Sequence, residues 1–130
     1  MKLLGIDYGK AKIGLAISGG SLAAPLQVLR LSSEQEVILK IKKIIAEENI
    51  SELVVGVSEN ESADLAREFA KKLEDQTNLV VNLFDETLST RDANAFAIEA
   101  GIGREKRRRM EDAYAATLIL QSYLDNLDSE

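Results

Sequence analysis

Leu3-Leu4-Gly5-Ile6-Asp7-Tyr8-Gly9, followed by Lys12-Ile13-Gly14-Leu15-Ala16-Ile17-Ser18, is the stretch that decides how this chain folds. The first run is apolar and ends in a carboxylate and a glycine, which predicts a strand over residues 2–7. The second run predicts another short strand. Tyr8 to Lys12 must turn between them, so the expected product is a hairpin with Asp7 at its mouth. A buried carboxylate without a partner is costly to desolvate, so Asp7 needs one from elsewhere in the chain. Side chains alternate along a strand, which puts Gly5 and Asp7 on one face of the first and Gly14, Ala16 and Ser18 on one face of the second. If the two faces coincide, the space beside Asp7 is open enough for ions.

Working outward, Gly19-Gly20-Ser21 is a turn into a third extended segment over residues 23–31, with Pro25 suited to its start or to a sheet edge. Three segments with tight links predict an antiparallel meander. Ser32-Ser33-Glu34-Gln35 has the form of a capping box. Val37, Ile38, Ile41, Ile44 and Ile45 follow at helical spacing, and Asn49 is a stop. Glu52-Leu53-Val54-Val55-Gly56-Val57 predicts a buried strand, and residues 58–61 a polar loop. Ala66, Phe69, Ala70 and Leu73 mark a second helix, and Leu79-Val80-Val81-Asn82-Leu83-Phe84 a fifth strand that runs into Asp85-Glu86. Ser89-Thr90-Arg91-Asp92 caps a third helix through about residue 100, and Gly101-Ile102-Gly103 breaks it. A last helix runs from about Lys106 to Leu127, and residues 125–130 are expected to fray. The fourth and fifth strands are joined through a helix, so they should be parallel with a right-handed crossover. The expected architecture is one α/β domain over residues 1–130: a mixed five-stranded sheet, three-strand antiparallel meander plus two parallel strands, flanked by helices.

Composition narrows the chemistry. The chain has neither cysteine nor histidine, which excludes disulfides, thiolate metal sites and histidine-based acid–base catalysis. A bound metal would need oxygen ligands, pointing to magnesium, manganese or calcium. No apolar run approaches the ~20 residues of a membrane span, and no signal-peptide pattern opens the chain; a cytoplasmic location is the expectation. The net charge of −6 argues against a polyanionic partner. However, Arg104-Glu105-Lys106-Arg107-Arg108-Arg109 is a concentrated basic run, and the local field matters more to a phosphate than the global sum.

Three carboxylates stand at informative places: Asp7 ending the first strand, Glu86 directly after the fifth, and Asp112 in the last helix. Ala115 and Ala116, at i+3 and i+4 from Asp112, let that helix face approach a sheet closely. Each acid has a plain structural role open to it: a turn or cap for Asp7, complementing a helix N-terminus for Glu86. The basic run can be a solvated surface. Tyr8, Phe69, Phe84 and Tyr123 are expected to pack rather than to stack on bases. Gathered together, the acids would repel unless protonated or neutralised, and with no histidine to serve as base a pair of divalent ions is the economical explanation.

These residues, taken in order, resemble the YqgF/RuvX family of RNase H-like proteins linked to pre-16S rRNA cleavage. The resemblance rests on Leu4-Gly5-Ile6-Asp7-Tyr8-Gly9 with Lys12 to Ser18, Leu53 to Val57, Ala66 to Leu73, Asp85-Glu86-Thr87-Leu88-Ser89-Thr90, and Glu111-Asp112-Ala113-Tyr114-Ala115-Ala116 with the helix beyond. It implies an RNase H-like fold and a metal-dependent endonuclease acting on structured RNA, in 5′-end processing of precursor 16S rRNA. It implies that Asp7, Glu86 and Asp112 are the catalytic, metal-binding carboxylates for Mg²⁺ or Mn²⁺, two ions with Asp7 between them. Lys12, Arg104, Arg107 and Arg108 are candidate phosphate contacts, and Ser89 and Thr90 candidate contacts to phosphate or ribose. The family usually has Arg at Lys12, Asp at Gly19 and Arg at Thr87; Lys12 keeps the charge without the planar fork.

Other functions compatible with these residues are a Holliday-junction DNA resolvase on the same fold and a non-catalytic RNA-binding ribosome-assembly factor. Asp-Tyr-Gly followed by Ile-Gly also resembles the phosphate loop of actin-like ATPases, but those need a second such domain, for which this chain is too short.

Overall fold

In the computed structural model, which describes residues 1–9, 11–57, 63–85 and 110–128, the opening hairpin forms as expected. Strand β1 (Leu3–Tyr8) pairs antiparallel with β2 (Lys12–Ser18), in a register that runs from Leu3 opposite Ser18 to Tyr8 opposite Ile13. Strand β3 (Ala23–Arg30) completes the meander. Its register slips between Leu15, opposite Gln27, and Ala16, opposite Pro25, which leaves Leu26 as the extra residue of a bulge. Pro25 sits on the edge strand beside the bulge, the places in a sheet that tolerate proline. Strands β4 (Glu52–Val57) and β5 (Val80–Asp85) add in parallel on the other side of β1, giving a five-stranded sheet of order β3-β2-β1-β4-β5. This is the mixed sheet the sequence predicts.

Helix α1 (Glu34–Glu48) starts at Ser33, whose hydroxyl accepts from the Glu36 N–H, and stops at Asn49 in the left-handed conformation with φ 57°. The cap thus pairs Ser33 with Glu36, one residue later than a Ser32–Gln35 box. Helix α2 (Ala63–Thr77) buries Ala66, Phe69, Ala70 and Leu73, the predicted face. Helix α3 (Glu111–Asp128) is the last element. It stays helical past Asp125, where fraying is expected, because Leu124 is still anchored in the core. The expected loop at 58–61, the helix capped by Ser89 and the start of the last helix at Lys106 lie outside the described residues.

Alternation splits the core into two layers. Leu4, Ile6, Ile13, Leu15, Leu53 and Val55 face α1 and α2, where they meet Val37, Ile38, Ile41, Phe69 and Leu73. Leu3, Ala16, Val54 and Phe84 face α3 and meet Ala116, Ile119, Leu120 and Leu124. Strand β4 is buried on both faces, as its β-branched run predicts. Gln121 ties α3 to the β2–β3 turn: its Oε1 accepts from the Ala23 N–H at 2.8 Å and its Nε2 donates to the Ser21 carbonyl at 3.0 Å.

Candidate metal site at the carboxyl ends of the parallel strands

Asp7 lies near the carboxyl end of β1, half-buried, on the face that α3 covers. Both of its neighbours in the sheet are glycines, Gly14 on β2 and Gly56 on β4. The faces carrying Gly5 and Asp7 and carrying Gly14 and Ala16 do coincide, as the hairpin register requires.

The space beside them is not simply open. A Cβ on Gly14 would fall on the Asp112 carbonyl and lie 2.8 Å from the Ala113 nitrogen. A Cβ on Gly5 would lie 2.8 Å from Leu120 Cβ and 3.2 Å from the Ala116 carbonyl oxygen. Positions 112, 116 and 120 are successive i+4 steps, so one row of α3 runs directly along the two glycines. The clearance expected for ions is therefore taken on the β2 side by helix backbone. That contact brings Asp112, half-buried in the first turn of α3, to the strand position next to Asp7, 105 residues away in sequence. The small face at Ala113 and Ala116 is what permits it, and both are fully buried.

On the opposite face of β1, Tyr8 packs on Phe69 with ring centroids 4.7 Å apart. Burial pushes its phenol above the usual range, and the charge of Glu34 adds to the effect. Lys72 donates to Glu34 at 2.6 Å, and that hydrogen bond and the Glu34 charge raise the lysine. Phe84 and Tyr123 meet edge to face at 6.2 Å. All four aromatic side chains expected to pack do so.

Lys12 opens β2, exposed, directly opposite Arg30 at the end of β3. Glu86 is the next residue after β5; like Ser89, Thr90, Arg104, Arg107 and Arg108, it lies outside the described residues. Among the described residues no three acidic side chains gather as a metal-binding group. The residue types nevertheless suit a hard divalent ion, because two acidic residues, Asp7 and Asp112, stand at adjoining backbone positions and the chain has no histidine or cysteine. Sequence reasoning passed over Arg30 and Gly56; the pairing of β3 with β2 and of β4 with β1 is the signal that exposes them.

A family model described as RuvX, Holliday junction resolvase, matches residues 1–126. The chain belongs to the RuvX family. Relatives carrying the name "Putative pre-16S rRNA nuclease" align with this RuvX-family chain end to end. That of Clostridium botulinum (strain Alaska E43 / Type E3) is 34% identical over 135 residues, covering 98% of each chain. That of Carboxydothermus hydrogenoformans is 38% identical over 133 residues, covering 96% of each. Among solved structures, Thermus thermophilus RuvC in complex with Holliday junction substrate superposes with a TM-score of 0.69 at 14% identity, covering 97% of this chain and 96% of that one. Fowlpox virus resolvase bound to Holliday junction DNA gives 0.64 at 11% identity, covering 98% and 99%. At those identities what is shared is the fold, the RNase H-like sheet of the resolvases. No helix among the described residues is long and apolar enough to cross a membrane.

Proposed function

We propose that this RuvX-family chain is a metal-dependent endonuclease that hydrolyses phosphodiesters in structured RNA, with the 5′ region of precursor 16S rRNA as its substrate. The observation that carries the reading is the seating of Asp112 against Gly14, the strand partner of Asp7. Two acidic residues whose backbones adjoin near the carboxyl end of β1, which pairs in parallel with β4, stand where open α/β sheets bind ligands. The names of the end-to-end relatives support RNA as substrate.

Asp7, Asp112 and Glu86 would hold Mg²⁺ or Mn²⁺. Such ions, when bound, supply Lewis-acid charge that makes water a nucleophile near neutral pH and offsets the charge of the phosphate in flight. The chain's own contribution is positioning. Strand β1 holds Asp7 from both sides through its ladders, the glycine contact fixes Asp112, and Lys12 offers a cation to the substrate at the same end of the sheet.

Incubated with Mg²⁺ or Mn²⁺ and a precursor-rRNA fragment, the wild-type chain should cut. Asp7→Asn should reduce cutting to background while keeping a cooperative melt by circular dichroism. Equal cleavage by Asp7→Asn would sink the assignment. A second reading, a DNA four-way-junction resolvase, is favoured by the description of the matching family. Cleavage of junctions but not of RNA would select it.

A further inference from the structure

Lys12 and Arg30 face each other across β2 and β3, both exposed. The Leu31 N–H donates to the Ala11 carbonyl at 2.9 Å, so the step just beyond them is a hydrogen-bonded pair. Pairs alternate along an antiparallel ladder, which makes Lys12–Arg30 the narrow, non-hydrogen-bonded kind whose side chains stand closest. Two cations directly opposite each other repel and destabilise the ladder. No ion pair or hydrogen bond among the described residues relieves either one. In a chain with net charge −6, juxtaposed cations with no counter-charge among the described residues form an arrangement that a bound anion would relieve.

Their location says which anion. Ile13 and Leu29, the next residues inward, belong to the α1–α2 layer, so Lys12 and Arg30 fall on the other face, the one that carries Gly14 and Asp7. Lys12 is two residues beyond Gly14, which is opposite Asp7. By strand geometry that places Lys12 about 8 Å from Asp7 and Arg30 about 12 Å from it. A nucleic-acid strand whose reacting phosphate lies at Asp7 would bring a neighbouring phosphate to the cations.

We propose that Lys12 and Arg30 form a two-cation subsite for a substrate phosphate adjacent to the one that is cleaved. This rests on the nuclease reading above. The subsite accounts for how a site built of acids on an acidic protein holds a polyanion, and it assigns to Arg30 the planar, forked grip that a lysine at position 12 lacks.

The test is the salt dependence of binding, measured by fluorescence anisotropy with a labelled precursor-rRNA stem and the full chain. Neutralising one phosphate contributes a slope of about 0.7–0.9 in log K against log salt. K12A/R30A should lose about one such increment, and each single variant only part of it, because the two cations share a phosphate. In cleavage, KM should rise about tenfold or more in the double variant with kcat held, as expected when uniform binding is removed. The melting temperature of K12A/R30A should stay level or rise, since repulsion is relieved, whereas a purely structural pair would lower it. Lys40→Ala, an exposed cation on α1, is the control and should change neither slope nor KM. An unchanged slope and KM in K12A/R30A, with wild type still cleaving, overturns the subsite alone. A wild-type chain that neither binds nor cleaves RNA or a four-way junction overturns the nuclease reading instead.

Discussion

At the scale of a residue, Gly14 governs the geometry of the candidate site. Its missing Cβ is what lets the Asp112 carbonyl and the Ala113 nitrogen touch the sheet. An alanine there meets backbone, which cannot rotate away, so the first turn of α3 must retreat and take Asp112 with it. Displacements of about 1 Å at such groups can cost on the order of a hundredfold in activity. Gly14→Ala should therefore weaken Mn²⁺ affinity, read by calorimetry, by about 10–100-fold, the scale of losing a positioning partner of a metal ligand. Gly5→Ala, which crowds Leu120 two helical turns further along, should cost stability in urea but spare more of the affinity. Equal affinities for Gly14→Ala and wild type would show that Asp112 does not depend on this contact. The residue scale is also where sequence reasoning reached the right neighbours for an incomplete reason. Alternation grouped Gly5 with Asp7 and Gly14 with Ala16 and left open whether the two faces coincide. The register pairs Gly14 with Asp7, but strand spacing alone does not say whether a gap above two glycines admits an ion or a helix. Only the docking of α3 decides that, through a contact between residues nearly a hundred positions apart.

At the scale of elements, α1 and α2 are linked near the end of β1 by Lys72 and Glu34, with the Tyr8 ring between the helices and the sheet. Two groups there are raised: Lys72 by its hydrogen bond to Glu34, Tyr8 by burial first and by Glu34 second. For Lys72 the favoured form is the charged one, so its contribution is complete below the unfolded value near 10.5 and disappears as pH rises through the higher folded value. For Tyr8 the favoured form is neutral, so above pH 10 the unfolded chain ionises while the folded one resists, and stability again falls. The urea midpoint should thus decline above about pH 10, and the decline should be shallower in Glu34→Gln, which removes the lysine's partner and one cause of the tyrosine shift. Parallel alkaline curves for the two proteins would contradict this. The elements themselves were largely legible, because each answers to a local signal: β-branched density for β4, helical spacing of Ala66, Phe69, Ala70 and Leu73 for α2, a left-handed Asn49 closing α1. What local signals could not supply was pairing. The bulge at Leu26 and the meeting of Lys12 with Arg30 depend on how β3 slides against β2, and nothing within either segment specifies that offset.

At the scale of the whole molecule, a single sheet is the inner wall of two cores that, among the described residues, share no helix. Ile41 is buried on the α1–α2 side and Ile119 on the α3 side. The sheet couples them, since every central strand contributes alternate residues to each layer: Leu3 and Val54 to one, Leu4 and Val55 to the other. Loosening either layer therefore weakens the strands on which the other depends, and the molecule should unfold in one cooperative step. Ile41→Val and Ile119→Val each remove one buried methylene and should cost about 0.5–1.5 kcal/mol. Because the sheet separates the two sites, their effects should add to within about 0.5 kcal/mol. Urea unfolding followed by far-ultraviolet circular dichroism and by tyrosine fluorescence checks both points. The tyrosines report on both layers, Tyr8 from the α1–α2 side and Tyr123 from the α3 side. Coincident transitions that shift together in both variants are expected. If α3 instead came away first, Ile119→Val would move an early fluorescence transition and leave the circular-dichroism midpoint of the remaining sheet in place. Asp112 would then be held by a layer that opens independently of Asp7, and metal binding should stabilise that early transition in preference to the later one.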